Sequence, residues 1–147
     1  MKAHIVSDPR ALLLWHFAAG STGYDAVCRA AAAYRLPLRE ITEADLDTPV
    51  GALCGMRGVT PADAPYTLPE GGFALPAMIV AGLSNASGDL NAFISALRET
   101  GAVLPLKAMV TPTSRAWPLG HLLGELSAEH LALHALPDAD QPEDGSL

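Results

Sequence analysis

Pro49-Val50-Gly51-Ala52-Leu53-Cys54-Gly55 and Pro118-Leu119-Gly120-His121-Leu122-Leu123-Gly124 share one pattern. Proline opens each, glycine stands third and seventh, leucine stands fifth, and Val50 meets Leu119 in second place; five of the seven pairs are identical or an aliphatic exchange. Proline suits the first turn of a helix, and glycine lets another backbone come close. Upstream of the heptapeptides the agreement continues in the same order. Pro37-Leu38-Arg39 matches Pro105-Leu106-Lys107, and Leu12-Leu13-Leu14 matches Met78-Ile79-Val80. Small-residue loops, 18–23 and 84–88, follow the two apolar runs. Such ordered agreement predicts an internal repeat.

The elements follow from periodicity. Residues 12–17 form a short apolar strand, and 24–36 a helix placing Val27, Ala30, Ala31 and Tyr34 together. Residues 38–42 alternate as a strand, and 49–56 form a helix with Thr48 as its N-cap. The second unit repeats this with a strand at 77–83, a helix at 89–100 burying Leu90, Phe93, Ile94 and Leu97, a strand at 104–110, and a helix from Ser114 to about Leu136. Between the units, 57–76 is rich in proline and glycine and reads as a linker. The predicted fold is α/β: two β-α-β-α repeats, about 11–56 and 77–136, forming one four-stranded, largely parallel sheet with helices packed on it and an approximate two-fold. Residues 1–136 make one domain, and 137–147 an acidic tail expected to be disordered.

Composition narrows the function classes. A chain of 147 residues, 50% of them hydrophobic, can bury a sizeable core as one domain. Nine basic residues against sixteen acidic ones give a net charge of −7, with no Lys/Arg cluster for phosphate backbones, so no nucleic-acid partner is expected. The longest apolar runs, 11–19 and 73–83, fall short of the ~20 residues of a membrane span. Without a secretory leader, and with Cys28 and Cys54 too far apart for a metal or redox pair, the expected location is cytoplasmic.

On the last helix, Leu119, Leu122, Leu126 and Leu133 share the core face, with His121 and Glu125 on one side of it and His130 and His134 on the other. These cannot converge on one ion, and neither a metal nor a cofactor is expected. Cys28 and Cys54, within helices and with no histidine at local spacing, read as buried inert thiols. The strand-to-helix loops remain, since open parallel sheets bind ligands beyond the carboxyl ends of their strands. Ser21, Thr22, Ser84, Asn85 and Thr111 are the ligand-binding candidates, though turn and cap chemistry explains the same residues. Trp117, just before Pro118, reads either as a packing staple over the sheet end or as a partner-contact anchor.

The second half carries Thr111, then Trp117 with Leu119, then Leu122-Leu123, Glu125-Leu126 and Glu129-His130 in order. This resembles a bacterial domain-of-unknown-function family of small α/β proteins, over roughly 76–134. The resemblance implies the fold and a bacterial source, and no activity. Two function classes follow. One is a non-enzymatic interaction or regulatory module, meeting a protein partner or a second copy. The other is a small-molecule or anion-binding protein, or an enzyme, using the strand-to-helix loops.

Overall fold

The computed structural model describes residues 9–84 and 86–135. Strand β1 (Ala11–Trp15) leads through α1 (Tyr24–Ala33) to β2 (Leu38–Ile41) and the short helix α2 (Val50–Leu53). Strand β3 (Ala77–Ala81) then leads through α3 (Asp89–Arg98) to β4 (Leu106–Met109) and α4 (Leu119–Ala135). The four strands form one sheet in the order β2-β1-β3-β4. Each crossover helix joins a parallel pair, β1 with β2 and β3 with β4. The middle pair, β1 with β3, is antiparallel, with Leu13 opposite Ile79. The sheet is therefore parallel in two of its three pairings. The carboxyl ends of β1 and β2 leave one end of the sheet, and those of β3 and β4 leave the other.

All ten residues of β1 and β3 are buried, because helices cover both faces of the central strands. Alternation sends Leu13, Trp15 and Ile79 to the face covered by α2 and α4, where Val50, Leu53, Leu119 and Leu123 meet them. Leu12, Leu14, Met78 and Val80 face α1 and α3, meeting Val27, Ala31, Phe93 and Leu97. The edge strands β2 and β4 are only partly buried.

The two proline heptapeptides lie against each other. Pro49 and Pro118 form an antiparallel bridge. Across it the Val50 N–H donates to the Trp117 carbonyl (2.9 Å), and the Leu119 N–H donates to the Thr48 carbonyl (3.0 Å). Each segment thus satisfies an otherwise orphan N–H in the first turn of the other's helix. Pro49, extended at ψ 138° to make this bridge, is itself the N-cap, in place of Thr48. A Cβ on Gly51 would stand 3.0 Å from the Arg115 carbonyl oxygen, the close backbone approach expected of it. At Gly120 the neighbour is a side chain: a Cβ there would clash with the Tyr66 ring, 2.4 Å from its nearest atom.

Several boundaries move for local reasons. α1 stops at Ala33 because Arg35 turns left-handed (φ 58°), and the Leu36 N–H returns to the Ala31 carbonyl. The helix expected from Ser114 is broken: Ser114–Ala116 is a 3₁₀ turn and Trp117 is extended, as suits a residue before proline. Cys54 is buried as expected, whereas Cys28 is only half-buried, one step around α1 from buried Val27. Leu133, expected on the core face, is 65% exposed. A helix of 17 residues runs ~25 Å, and strands of four or five residues reach only ~16 Å, so the last turns of α4 outrun the sheet.

The segment 57–76 has no regular element, yet it is held down as a strap across α4 and the sheet. Phe73 is buried and its carbonyl accepts the Trp15 indole N–H at 2.9 Å. The Tyr66 hydroxyl donates to Asp47 at 2.6 Å, and His121 Nδ1 lies 2.8 Å from the Pro65 carbonyl oxygen. The expected acidic tail, 137–147, lies outside the described residues.

Ile79 is fully buried at the middle of the antiparallel pair. Ile79→Ala should lower unfolding free energy by about 2–5 kcal/mol in urea denaturation, with the slope unchanged. A loss below ~1 kcal/mol would mean that the pair is not the packed centre described here.

Candidate functional site

The antiparallel joint decides what the strand-end loops can do together. Ser21 and Thr22 follow β1, and Ser84 follows β3, so they lie at opposite ends of the sheet. No single site includes both loops. Asn85 lies outside the described residues. Thr111 follows β4 and shares the Ser84 end.

Most of these hydroxyls serve their own loops. Ser21 Oγ accepts the Ala18 N–H at 3.1 Å, and Ser84 Oγ accepts the Ser87 N–H at 3.3 Å. Thr111 and Ser114 hold each other reciprocally: each backbone N–H donates to the other's hydroxyl oxygen at 2.9 Å. Ser114 is 6% exposed, so this small ring is a buried brace for the turn into α4. Thr22 is exposed. Trp117 is half-buried, edge-on to His121 with ring centroids 4.6 Å apart. Its side chain packs partly buried against the core on the α2 and α4 face, and its backbone carbonyl accepts the Val50 N–H.

The turn after β2 is built like the one after β4, with different charge. Thr42 accepts the Ala44 N–H through Oγ1, and its own N–H donates to the Asp45 carboxylate at 2.9 Å. Asp45 thus stands where Ser114 stands in the other turn. A cleft of about 400 Å³ opens here, lined by His16, Ser21, Glu40, Thr42 and Glu43. His16 is left-handed (φ 54°), with Nε2 3.6 Å from the Glu43 carboxylate. The neighbouring Tyr24 hydroxyl donates to Glu40 at 3.1 Å. The Cys28 thiol, and after it the Glu40 carboxylate, push the Tyr24 phenol up to about 12. This end is acidic.

The opposite end is basic. A cleft of about 630 Å³ lies beside the turn after β4 and is lined by Pro9, Met56, Arg57, Val59, Thr60 and Arg115, among others. α2 ends in a glycine-closed turn, with the Met56 N–H returning to the Gly51 carbonyl and the Gly55 N–H to that of Ala52. That turn delivers Arg57 to the cleft. The 3₁₀ turn after Thr111 delivers Arg115. Both arginines are exposed, and among the described residues neither has a carboxylate within ion-pairing distance. Among the same residues, the backbone N–H groups of 57–60 have no intramolecular acceptor. Arg57 and Arg115, together with a stretch whose N–H groups lack internal acceptors, therefore line one cavity in a chain whose net charge is −7. Sequence reading missed both arginines. They stand 58 positions apart, one in the presumed linker and one in a turn, and belong to no motif.

Comparison with known proteins bears on the second unit. Residues 76–133 match a domain of unknown function, DUF3783. The match takes in β3, α3, β4 and nearly all of α4, close to the span of the resemblance read from the sequence, and it brings no activity. Arg115 lies inside the matched stretch and Arg57 outside it. No curated protein and no solved structure matches the chain. No described helix is long and apolar enough to cross a membrane.

The folded state keeps Tyr24 protonated between about pH 10 and 12, where an unfolded tyrosine ionises. The unfolded chain then binds fewer protons, so this residue's contribution to stability is intact below pH 10 and lost on passing to pH 12. In a spectrophotometric titration, Glu40→Gln should bring one tyrosine's midpoint down toward 10. An unchanged titration would show that the Glu40 carboxylate does not hold it.

Proposed function

We propose that this chain is a binding module for a small anion, held in the cleft between Arg57 and Arg115 beyond the carboxyl ends of β3 and β4. The carrying observation is that two arginines without carboxylate partners among the described residues line one cavity of about 630 Å³. That size falls in the range of roughly 300–1,000 Å³ usual for small-molecule sites. Guanidinium groups left without an internal counter-charge favour an external one, and their fork geometry suits oxyanions. Of the loop candidates, Thr111 belongs to this end through its brace with Ser114, which positions the turn carrying Arg115. Ser84 lies at the same end, and Ser21 and Thr22 belong to the acidic cleft opposite.

The same reading includes an internal duplication with approximate two-fold symmetry. Supporting it are the strand order β2-β1-β3-β4, the antiparallel centre and the reciprocal Pro49–Pro118 contact. On this view the turns after β2 and after β4 descend from one ancestral turn. The second copy became basic where Ser114 and Arg115 replaced the pattern of Asp45 and Leu46. A cytoplasmic location fits a small-anion binder and stays part of the proposal.

A second reading, the interaction module, is favoured by a separate observation. Leu131 and Leu133 are 66% and 65% exposed on the overhanging end of α4. Their occupant on this reading is a second copy of the chain, since self-complementary two-fold pairing is the commonest way for a soluble chain to associate.

Thermal unfolding checks the first reading. With phosphate, sulfate or a dicarboxylate at about a hundred times its Kd, the midpoint should rise by several degrees. Arg57→Ala with Arg115→Ala should abolish the rise, and no rise with any anion would sink the reading. The second reading is checked by sedimentation: the chain should run as a dimer and Leu131→Asp as a monomer. A monomeric parent chain would dispose of it.

A further inference from the structure

We infer, resting on the anion-binding reading above, that the ligand of the Arg57–Arg115 cleft is an organic phosphate monoester, with its phosphate between the two guanidinium groups and its organic part on the wall formed by Met56 and Val59. Three features of the cleft lead to this class.

The first is donor number. Two guanidinium groups offer up to five N–H donors each, and the N–H groups of 57–60 stand without internal acceptors among the described residues. One carboxylate has two oxygens to accept them. A phosphate monoester has three terminal oxygens and a charge of about −1.5 to −2 near pH 7, which answers two fixed positive charges. The second is backbone shape. Gly55 and Gly58 both lie at positive φ (89° and 68°), and a Cβ built on either meets nothing within 4 Å. The Gly55 and Met56 N–H groups close the end of α2, and the free N–H groups begin at Arg57, beside the open backbone of Gly58; successive free N–H groups of this kind can cradle a tetrahedral oxyanion. The third is the remaining lining. Inorganic phosphate fills only a small part of about 630 Å³, and Pro9, Met56, Val59, Pro112 and Ala116 give the rest an apolar surface. An apolar wall beside a pair of cations fits a ligand with a charged head and a less polar body.

The acidic cleft at the other end supplies a contrast within the same molecule. It is smaller, about 400 Å³, and lined by Glu40 and Glu43. A phosphate monoester is repelled there. The inference therefore predicts one site per chain.

Calorimetric titration of the full chain with phenyl phosphate, inorganic phosphate and succinate tests it. Phenyl phosphate should bind at one site, about tenfold or more tighter than either of the others, the factor that 1.4 kcal/mol represents. Arg115→Ala should weaken phenyl phosphate by tenfold or more. Val59→Asp should weaken phenyl phosphate more than inorganic phosphate, because it spoils the wall and leaves both arginines in place. Thermal unfolding of each variant confirms that it folds, and Arg57→Ala, at an exposed position, provides a second phosphate-site variant. Succinate binding as tightly as phenyl phosphate would overturn the phosphate class while leaving the anion reading intact. Inorganic phosphate binding as tightly as phenyl phosphate would overturn the organic part. Binding of none of the three would overturn the inference and the anion reading together.

Discussion

Everything in this molecule is arranged around the antiparallel contact of β1 with β3. These are the only two strands buried along their whole described length, and their ten residues supply the centre of both packed faces. Each parallel pair is completed by its own crossover helix. The joint between the pairs has no crossover helix, and within the sheet it rests on strand hydrogen bonds and side-chain packing. Its direction also sets the functional geometry: because β1 and β3 run opposite ways, the two sets of strand ends face apart.

The second tie lies beside the sheet, where the segments before α2 and α4 exchange carbonyl acceptors across Pro49 and Pro118. A four-residue helix such as α2 is far too short to persist alone. Here its first turn is satisfied by the opposite segment and its end is closed by Gly55, so α2 holds Arg57 at the cleft wall. The strap from 57 to 76 is then fixed by Phe73, Tyr66 and the Ala62 N–H, which donates to the Ala116 carbonyl at 2.9 Å. Both walls of the basic cleft, the strap start and the turn before α4, are therefore bound to each other. Charge differs between the two ends because single positions differ: Asp45 caps one turn, whereas Ser114 caps the other and is followed by Arg115.

The site was far less legible than the fold. Ser21, Thr22, Ser84 and Thr111 were visible because loops after strands are where ligands bind in parallel sheets. What separated them into two ends was the direction of one strand pairing, which periodicity does not report. Arg57 and Arg115 gave no local signal at all. An arginine in a proline-rich stretch and another in a turn are ordinary surface residues until folding puts them on one cavity.

Local chemistry fixed the element types. Buried apolar runs, helical spacing in 24–33 and 89–98, and proline and glycine punctuation follow from side-chain volume and backbone sterics within a few residues, so the chain alone determined strands, helices and the four-stranded α/β class. Helix ends were less secure, because Arg35, Trp117 and Pro49 take their conformations from the turn or bridge they join. The tertiary structure alone decided the antiparallel centre, the overhang of α4, the packing of 57–76 as a strap, and the placing of Arg57 and Arg115 on one cleft. Each depends on contacts between residues distant in sequence, whose energies are set by which surfaces meet, and no short stretch of sequence encodes that.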